Sequence, residues 1–251
     1  MQTVFERHEK KYMLTPAQAA AIQQGMQNHI VPDEYGAYTL CTLYYDTEGL
    51  QAARASQDKP AYKEKLRLRS YGPPGANDTV FLELKKKVAG ISYKRRLPLL
   101  LDEAEAWLEY GVLPQQQSQI SREIEWFLYQ NNPQPTALLS YDRIAFCGAE
   151  DPSLRVTFDS NLRWRGTQLS LSAGDYGTPI LALPRILLEV KASGPLPLWM
   201  TRLLSEEKAF PISFSKYGSL YPQLMPEIEL PALQPARASS VFYSPELRRA
   251  L

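Results

Sequence analysis

From Lys63 to Arg69 the chain reads Lys63-Glu64-Lys65-Leu66-Arg67-Leu68-Arg69, with a cation at every second position. Period-two alternation predicts a strand, because successive side chains of a strand point to opposite faces. Lys63, Lys65, Arg67 and Arg69 then share one face, and Leu66 and Leu68 take the other. Like charges in a row repel, so the basic face either lies open to water or meets something anionic. The pattern recurs along the chain. After a turn at Gly72 to Asp78, Thr79 to Lys87 reads as the return strand, with Phe81, Glu83, Lys85 and Lys87 opposite Val80, Leu82, Leu84 and Lys86. Ser92 to Leu101 carries Lys94 and Arg96 on one face. Thr136 to Phe146 carries Tyr141 and Arg143; Leu154 to Asp159 carries Arg155, Thr157 and Asp159. Ile186 to Lys191 sets Leu187, Glu189 and Lys191 opposite Ile186, Leu188 and Val190.

The remaining elements fill the gaps. Val4 to Met13 reads as a short charged strand. Thr15 and Pro16 open a helix to about His29, which Val31-Pro32-Asp33 ends. Tyr38 to Tyr45 is rich in β-branched and aromatic residues, as strands are. Asp46 or Thr47 caps a short helix through about Ala55. Asp102 caps another that ends at Gly111, and a further one starts at Ser121. Gln168 to Ser172 reads as a short strand and Pro197 to Glu207 as an amphipathic helix. From Pro222 proline recurs, which divides the chain into a domain over 1–225 and a proline-rich tail over 226–251. Hairpin-like neighbours predict a mostly antiparallel sheet. The predicted fold is α+β, a closed antiparallel β-barrel with helices packed on the outside. Its lumen would be polar and its outer wall apolar. A lumen crowded with cations is unfavourable when empty, and a polyanion would offset that. Arginine offers fork-shaped contacts to phosphate and lysine a mobile point charge.

Composition narrows the reading. The chain has 251 residues, 44% hydrophobic and 22% charged, with a formal net charge of +1. A basic site must therefore be local, and general attraction to nucleic acid or anionic membrane is not indicated. A single alternating strand is commonly a solvated face, but several in a nearly neutral chain favour a site. Cys41 and Cys147 form no metal-ligand spacing. No apolar signal segment opens the chain, and no run approaches the ~18 residues of a membrane span. These features predict a cytoplasmic protein without membrane insertion. No glycine-rich phosphate loop is present, so side chains must hold any phosphate. His8 and His29 read as surface residues, and Trp107, Trp126, Trp164 and Trp199 as core or helix-packing residues.

The motifs carry a resemblance. Glu9-x-Lys11-Tyr12 resembles the N-terminal signature of the triphosphate tunnel enzymes, the CYTH superfamily. Tyr44-Tyr45-Asp46-Thr47, Lys65 to Gly72, Phe81-Leu82-Glu83-Leu84-Lys85, Ser92 to Arg96, Tyr141 to Phe146, Leu188-Glu189-Val190-Lys191 and Phe214-Ser215-Lys216-Tyr217-Gly218 resemble the VTC domain in order and spacing. That domain is the catalytic part of polyphosphate polymerases. The resemblance implies a tunnel binding a phosphate chain and transfer of the terminal phosphate of ATP to growing polyphosphate with Mn²⁺ or Mg²⁺. Carried over by position, Lys11, Arg67, Arg69, Lys85, Lys94, Arg143, Arg155 and Lys216 become phosphate ligands at the catalytic centre. Ser215 becomes a neutral donor and Glu189 the metal carboxylate. Alternation alone adds Lys65 and Arg96. One departure is Ser213, where family polymerases can carry a lysine. Three readings stay open: a metal-dependent polymerase, a tripolyphosphatase or nucleoside triphosphatase in which Glu9 or Glu83 orients water, and a non-catalytic polyphosphate-binding module.

Overall fold

A computed structural model describes residues 8–225 apart from Gly90. The first residues of the predicted opening strand and the tail over 226–251 lie outside the described residues.

The chain alternates strands and helices unevenly. It runs β1 (His8–Leu14), α1 (Pro16–Met26), β2 (Ile30–Asp46), α2 (Gln51–Asp58), β3 (Tyr62–Tyr71), β4 (Thr79–Val88) and β5 (Ile91–Leu100). Next come α3 (Leu101–Tyr110), α4 (Gln119–Asn131), β6 (Gln134–Gly148), β7 (Arg155–Arg165), β8 (Thr178–Pro179) and β9 (Ile186–Ala192). The described part ends with α5 (Leu198–Glu206), β10 (Pro211–Ile212), a 3-10 turn at Gly218–Leu220 and α6 (Tyr221–Leu224). The strands form one sheet in the order β10-β1-β9-β7-β6-β2-β3-β4-β5, with β8 beside β7. Every pairing is antiparallel.

The predicted closed barrel needs correction. No ladder joins β10 to β5 among the described residues, so backbone hydrogen bonds do not close the sheet. The sheet curls instead. The Glu9 carboxyl on β1 feels the Lys85 ammonium on β4, and Lys65 on β3 donates to Ser215 Oγ, just past β10, at 3.3 Å. The wall is therefore a curled sheet with a seam.

Burial of the apolar faces holds this shape. Leu66, Leu68, Val80, Leu82 and Leu84 pack with Trp107, Ile124 and Phe127 of α3 and α4. Tyr12, Leu14, Val156, Phe158, Leu188 and Val190 pack with Ile22 and Met26 of α1 and Met200 and Leu204 of α5. Two separate helix layers thus cover the outer wall, and removing these apolar faces from water is the main driving force.

Several local expectations shift. Helix α1 ends at Met26, and β2 already starts at Ile30, running through Val31-Pro32-Asp33 with a bulge before Ala37. Helix α2 begins at Gln51, yet Asp46 still serves it, accepting from the N–H groups of Ala52 and Ala53 at 2.9 Å. Helix α3 starts at Leu101, so Asp102 lies in its first turn rather than at the cap, where it suits the helix dipole. Ser118 caps α4 in a reciprocal pair with Ser121. Gln168 to Ser172 is not a strand: Arg165 gathers the carbonyls of Gln168, Ser170, Gly174 and Tyr176 and folds the segment into a turn. Trp126 is largely exposed rather than core, whereas His29 is exposed as expected, stacked on Trp199 at 4.3 Å.

Candidate active site: two carboxylate hubs in a basic lumen

Register places the predicted residues on one face of the sheet. Lys65 pairs with Lys85, Arg67 with Glu83, and Glu83 and Lys85 in turn with Arg96 and Lys94. Across β2, Arg67 and Arg69 face Tyr44 and Thr42. Further round, Arg143 pairs with Asp159, Thr157 with Glu189, and Glu189 with Lys11. Directly paired residues project to the same side, so all these side chains enter the lumen. Ser215 and Lys216 enter it from the segment after β10.

The first hub is Glu83, whose side chain is fully buried. Arg67 grips it through Nε at 2.8 Å and Nη2 at 2.7 Å. Arg96 binds the other oxygen at 2.6 Å and 2.5 Å. Lys94 and Arg69 stand at 3.5 Å and 3.8 Å. Burial alone would push the Glu83 carboxyl up, but these four cations hold it well below the usual carboxylate range. Glu83 is therefore saturated and is no candidate to deprotonate water.

The second hub is the pair Asp159 and Glu189. Arg143 makes a bidentate bond to Asp159 at 2.6 Å and 2.7 Å. Lys216 bridges the two carboxylates, at 2.6 Å from Asp159 and 3.0 Å from Glu189. Burial opposes the Lys216 ammonium, but Asp159 and Glu189 raise its pKa. Lys11 approaches Glu189 at 3.6 Å and Glu9 at 3.2 Å, and donates to the Phe214 carbonyl at 3.0 Å. The Glu189 carboxyl, raised by burial, ends well below its ordinary value under the charges of Lys216, Lys11, Lys191 and Arg143. The Thr157 hydroxyl, across from Glu189, is buried without a hydrogen-bond partner among the described residues.

Between the hubs lie cations with no carboxylate. Lys65 and Lys85 form no ion pair within 4.0 Å among the described residues; Lys65 has only the Ser215 hydroxyl. Burial, reinforced by neighbouring cations, pushes the Lys65 ammonium down to about 8. Tyr44 shares this corner: burial would raise its phenol, but Arg67, Arg69 and Lys65 bring it down to about 8. Its ring stacks on Tyr217 at 4.3 Å, and Arg67 Nη1 donates to its oxygen at 3.3 Å.

Of the predicted residues, Arg155 stands apart. It is on the luminal face beside Lys191 but half exposed, and its ion-pair partner among the described residues is Asp33 at 3.8 Å. Sequence reasoning missed Asp159 as a site residue, although it shares a face with Arg155. It also missed Tyr141, whose ring lies 4.6 Å under Lys216 Nζ and 5.3 Å under the Arg143 guanidinium.

No group of three His, Cys, Asp or Glu able to hold a metal occurs among the described residues. Glu9 lies two residues out of register from Glu189 on the adjacent strand and feels its charge. Such a pair does not cage an ion by itself. Each already has an ammonium partner, Glu9 in Lys11 at 3.2 Å and Glu189 in Lys216 at 3.0 Å.

A sequence profile of the VTC domain matches residues 6–225. The chain belongs to the VTC domain family. Membership supports a phosphate-chain-related function, as the motif order predicts. Solved structures agree in fold. A candidate adenylate cyclase from Bacillus halodurans superposes with a TM-score of 0.51 at 14% identity, over 82% of this chain and 92% of the other. The Hippeastrum adenylyl cyclase candidate HpAC1, described as having a dominant triphosphatase activity, superposes with a TM-score of 0.53 at 15% identity, over 89% of this chain and 99% of the other. No curated protein sequence matches the chain. No helix of the described residues is long and apolar enough to cross a membrane.

Proposed function

We propose that this VTC domain is a metal-dependent polyphosphate polymerase that takes the terminal phosphate of ATP onto a growing polyphosphate chain. The observation that carries the reading is the excess of cations over carboxylates on one sheet face, with Lys65 and Lys85 outside ion-pair distance of any carboxylate among the described residues. Phosphoryl transfer asks for positioning and charge neutralisation rather than a protein nucleophile. A terminal oxygen of the chain attacks the γ-phosphorus, the bond to the β-bridging oxygen breaks, and ADP leaves with the electron pair. That oxygen is already ionised near neutral pH, so no general base is required. Arg67, Arg69, Lys85, Lys94 and Arg96 lie on one wall and Lys11, Arg143 and Lys216 on the other, which suits donor and acceptor phosphates meeting between them. Arg155 takes a peripheral place. A divalent ion, Mn²⁺ or Mg²⁺, would be held by Glu189 with Glu9 beside it and would neutralise charge developing on the phosphates. Ser213 is exposed, so its difference from the family lysine leaves the buried Lys216 contacts unchanged.

One observation favours a second reading, hydrolysis of tripolyphosphate or a nucleoside triphosphate. Tyr44 places a phenol of lowered pKa among the cations, a proton acceptor that attack by water would need. Purified protein with ATP and Mn²⁺, followed by gel and phosphorus NMR, separates the readings. Long chains are expected. Free phosphate would replace polymerase by hydrolase, and tight polyphosphate binding without turnover would leave a binding module. Glu189→Ala is expected to abolish turnover; full activity in that variant removes the metal assignment.

A further inference from the structure

The β3–β4 ribbon continues outward from the lumen, and its outer rungs are not used by the reading above. On the luminal face Lys63 lies directly opposite Lys87, one rung beyond Lys65 opposite Lys85. Same-face rungs are about 7 Å apart along a strand, so Lys63, Lys65 and Arg67 form an unbroken ladder that ends at the Glu83 hub. Like charges directly across a sheet are unfavourable. The same ribbon shows that an opposite-charge solution is available: Glu64 and Lys86, the intervening rung, pair at 3.1 Å on the other face. On the luminal face no carboxylate lies within ion-pair distance of Lys63 or Lys87 among the described residues. Lys63 instead donates to the Ala55 carbonyl of α2 at 3.3 Å. Both lysines are half-buried rather than splayed into solvent. Burial, with Lys87 and Lys59 nearby, holds the Lys63 ammonium below its ordinary pKa.

We propose that Lys63 and Lys87 form a mouth subsite for linear polyphosphate, binding the stretch of chain that extends beyond the phosphates held in the lumen. The subsite makes the protein prefer long chains over tripolyphosphate. The inference rests on the phosphate-chain reading of the lumen but adds a chain-length discriminator that the lumen alone does not supply.

Binding of tripolyphosphate and of long-chain polyphosphate to the wild-type protein, Lys87→Gln and the double variant Lys63→Gln/Lys87→Gln tests it by calorimetry. Each lost lysine is expected to weaken long-chain binding roughly tenfold, the worth of a charged hydrogen bond. Tripolyphosphate affinity is expected to stay at the wild-type value. Lys63→Arg/Lys87→Arg should keep the long-chain preference, which separates charge from the contact of Lys63 with α2. Equal loss for both ligands, or no loss for either, overturns the subsite while leaving the lumen reading intact. Failure of the wild-type protein to bind either ligand overturns both.

Discussion

Lys65 and Tyr44 meet at a corner of the lumen where, among the described residues, the lysine has no carboxylate within ion-pair distance and the phenol lies among Arg67, Arg69 and Lys65. Both groups are brought to about 8, the lysine downward and the tyrosine downward, from opposite protonation preferences. The signs then act together on an anionic ligand. Below about pH 8 Lys65 is charged and Tyr44 is neutral, so neither titration limits affinity. Above it, Lys65 loses its proton in the free protein and Tyr44 gains a negative charge. A bound phosphate chain favours the ammonium and the neutral phenol, so binding above pH 8 takes up protons and weakens as pH rises. Tripolyphosphate affinity should therefore be level from about pH 7 to 8 and fall towards pH 10, with proton uptake visible in buffers of different ionisation enthalpy. Lys65→Met/Tyr44→Phe should bind more weakly but flatten the decline. An unchanged slope in that variant would assign the titration elsewhere. At this scale the sequence was informative about Arg67, Lys85 and Glu189 because period two ties alternating residues to one face, while Lys11 came only from the resemblance of Glu9-x-Lys11 to the family signature. It left Glu83 open between a salt-bridge partner and a base, and was silent on the bond of Asp159 to Arg143, since both depend on register between strands and on distances that alternation does not encode.

The segment from β10 to the 3-10 turn at Gly218–Leu220 connects more of the site than any strand does. Ile212 pairs with Lys11 on β1, and the Phe214 carbonyl accepts from the same lysine. Ser215 meets Lys65 of β3, Lys216 meets Asp159 of β7 and Glu189 of β9, and Tyr217 stacks on Tyr44 of β2 while donating to Asp46 at 2.7 Å. Gly218 lets this segment pass close to α2: its N–H donates to Ser215 Oγ at 3.1 Å, and a Cβ there would stand 2.6 Å from Ser56 Cβ and 3.1 Å from Ser215 Cβ. Gly218→Ala should cost about 1–3 kcal/mol by overpacking and, by displacing Ser215 and Lys216, weaken tripolyphosphate binding. Gly194→Ala, where a Cβ meets nothing within 4 Å, should change neither. Denaturant melts and calorimetry on the two variants check this, and equal effects would mean the segment tolerates a shift without consequence for the site. Element boundaries followed the same divide between local and distant causes. Thr15 with Pro16 and the αL Gly111 marked helix ends correctly because capping is local. The turn after Arg165 could not be read from Gln168 to Ser172, because the guanidinium that shapes it comes from the preceding strand.

The molecule as a whole is nearly neutral, yet it gathers cations on the inner face of a sheet whose two edges form no backbone ladder with each other among the described residues. Attraction across the seam comes from Glu9 toward Lys85 and from the Lys65–Ser215 bond. Repulsion between Lys11 and Lys85 acts in the opposite sense. The edge strand β5 is itself protected by charge, with Arg95 paired outward to Glu123 of α4 at 3.1 Å and Lys94 and Arg96 turned inward, a common way to keep a free edge from pairing with another chain. A phosphate chain lying between the walls would tie Lys11 and Lys216 to Lys85 and Lys94, offsetting the repulsion and adding to the attraction across the seam. Binding should then stabilise the fold by about 2.7 kcal/mol at a hundredfold excess over Kd. The gain should be uneven: amide exchange should slow most in β4, β5 and β1, the strands beside the seam, and less in α1 and α5, which already pack on a complete apolar face. Raising salt should shrink the gain, since screening weakens both the repulsion and the bridging. Uniform slowing across sheet and helices, with no excess at β5, would mean that the ligand stabilises the molecule without drawing its two edges together.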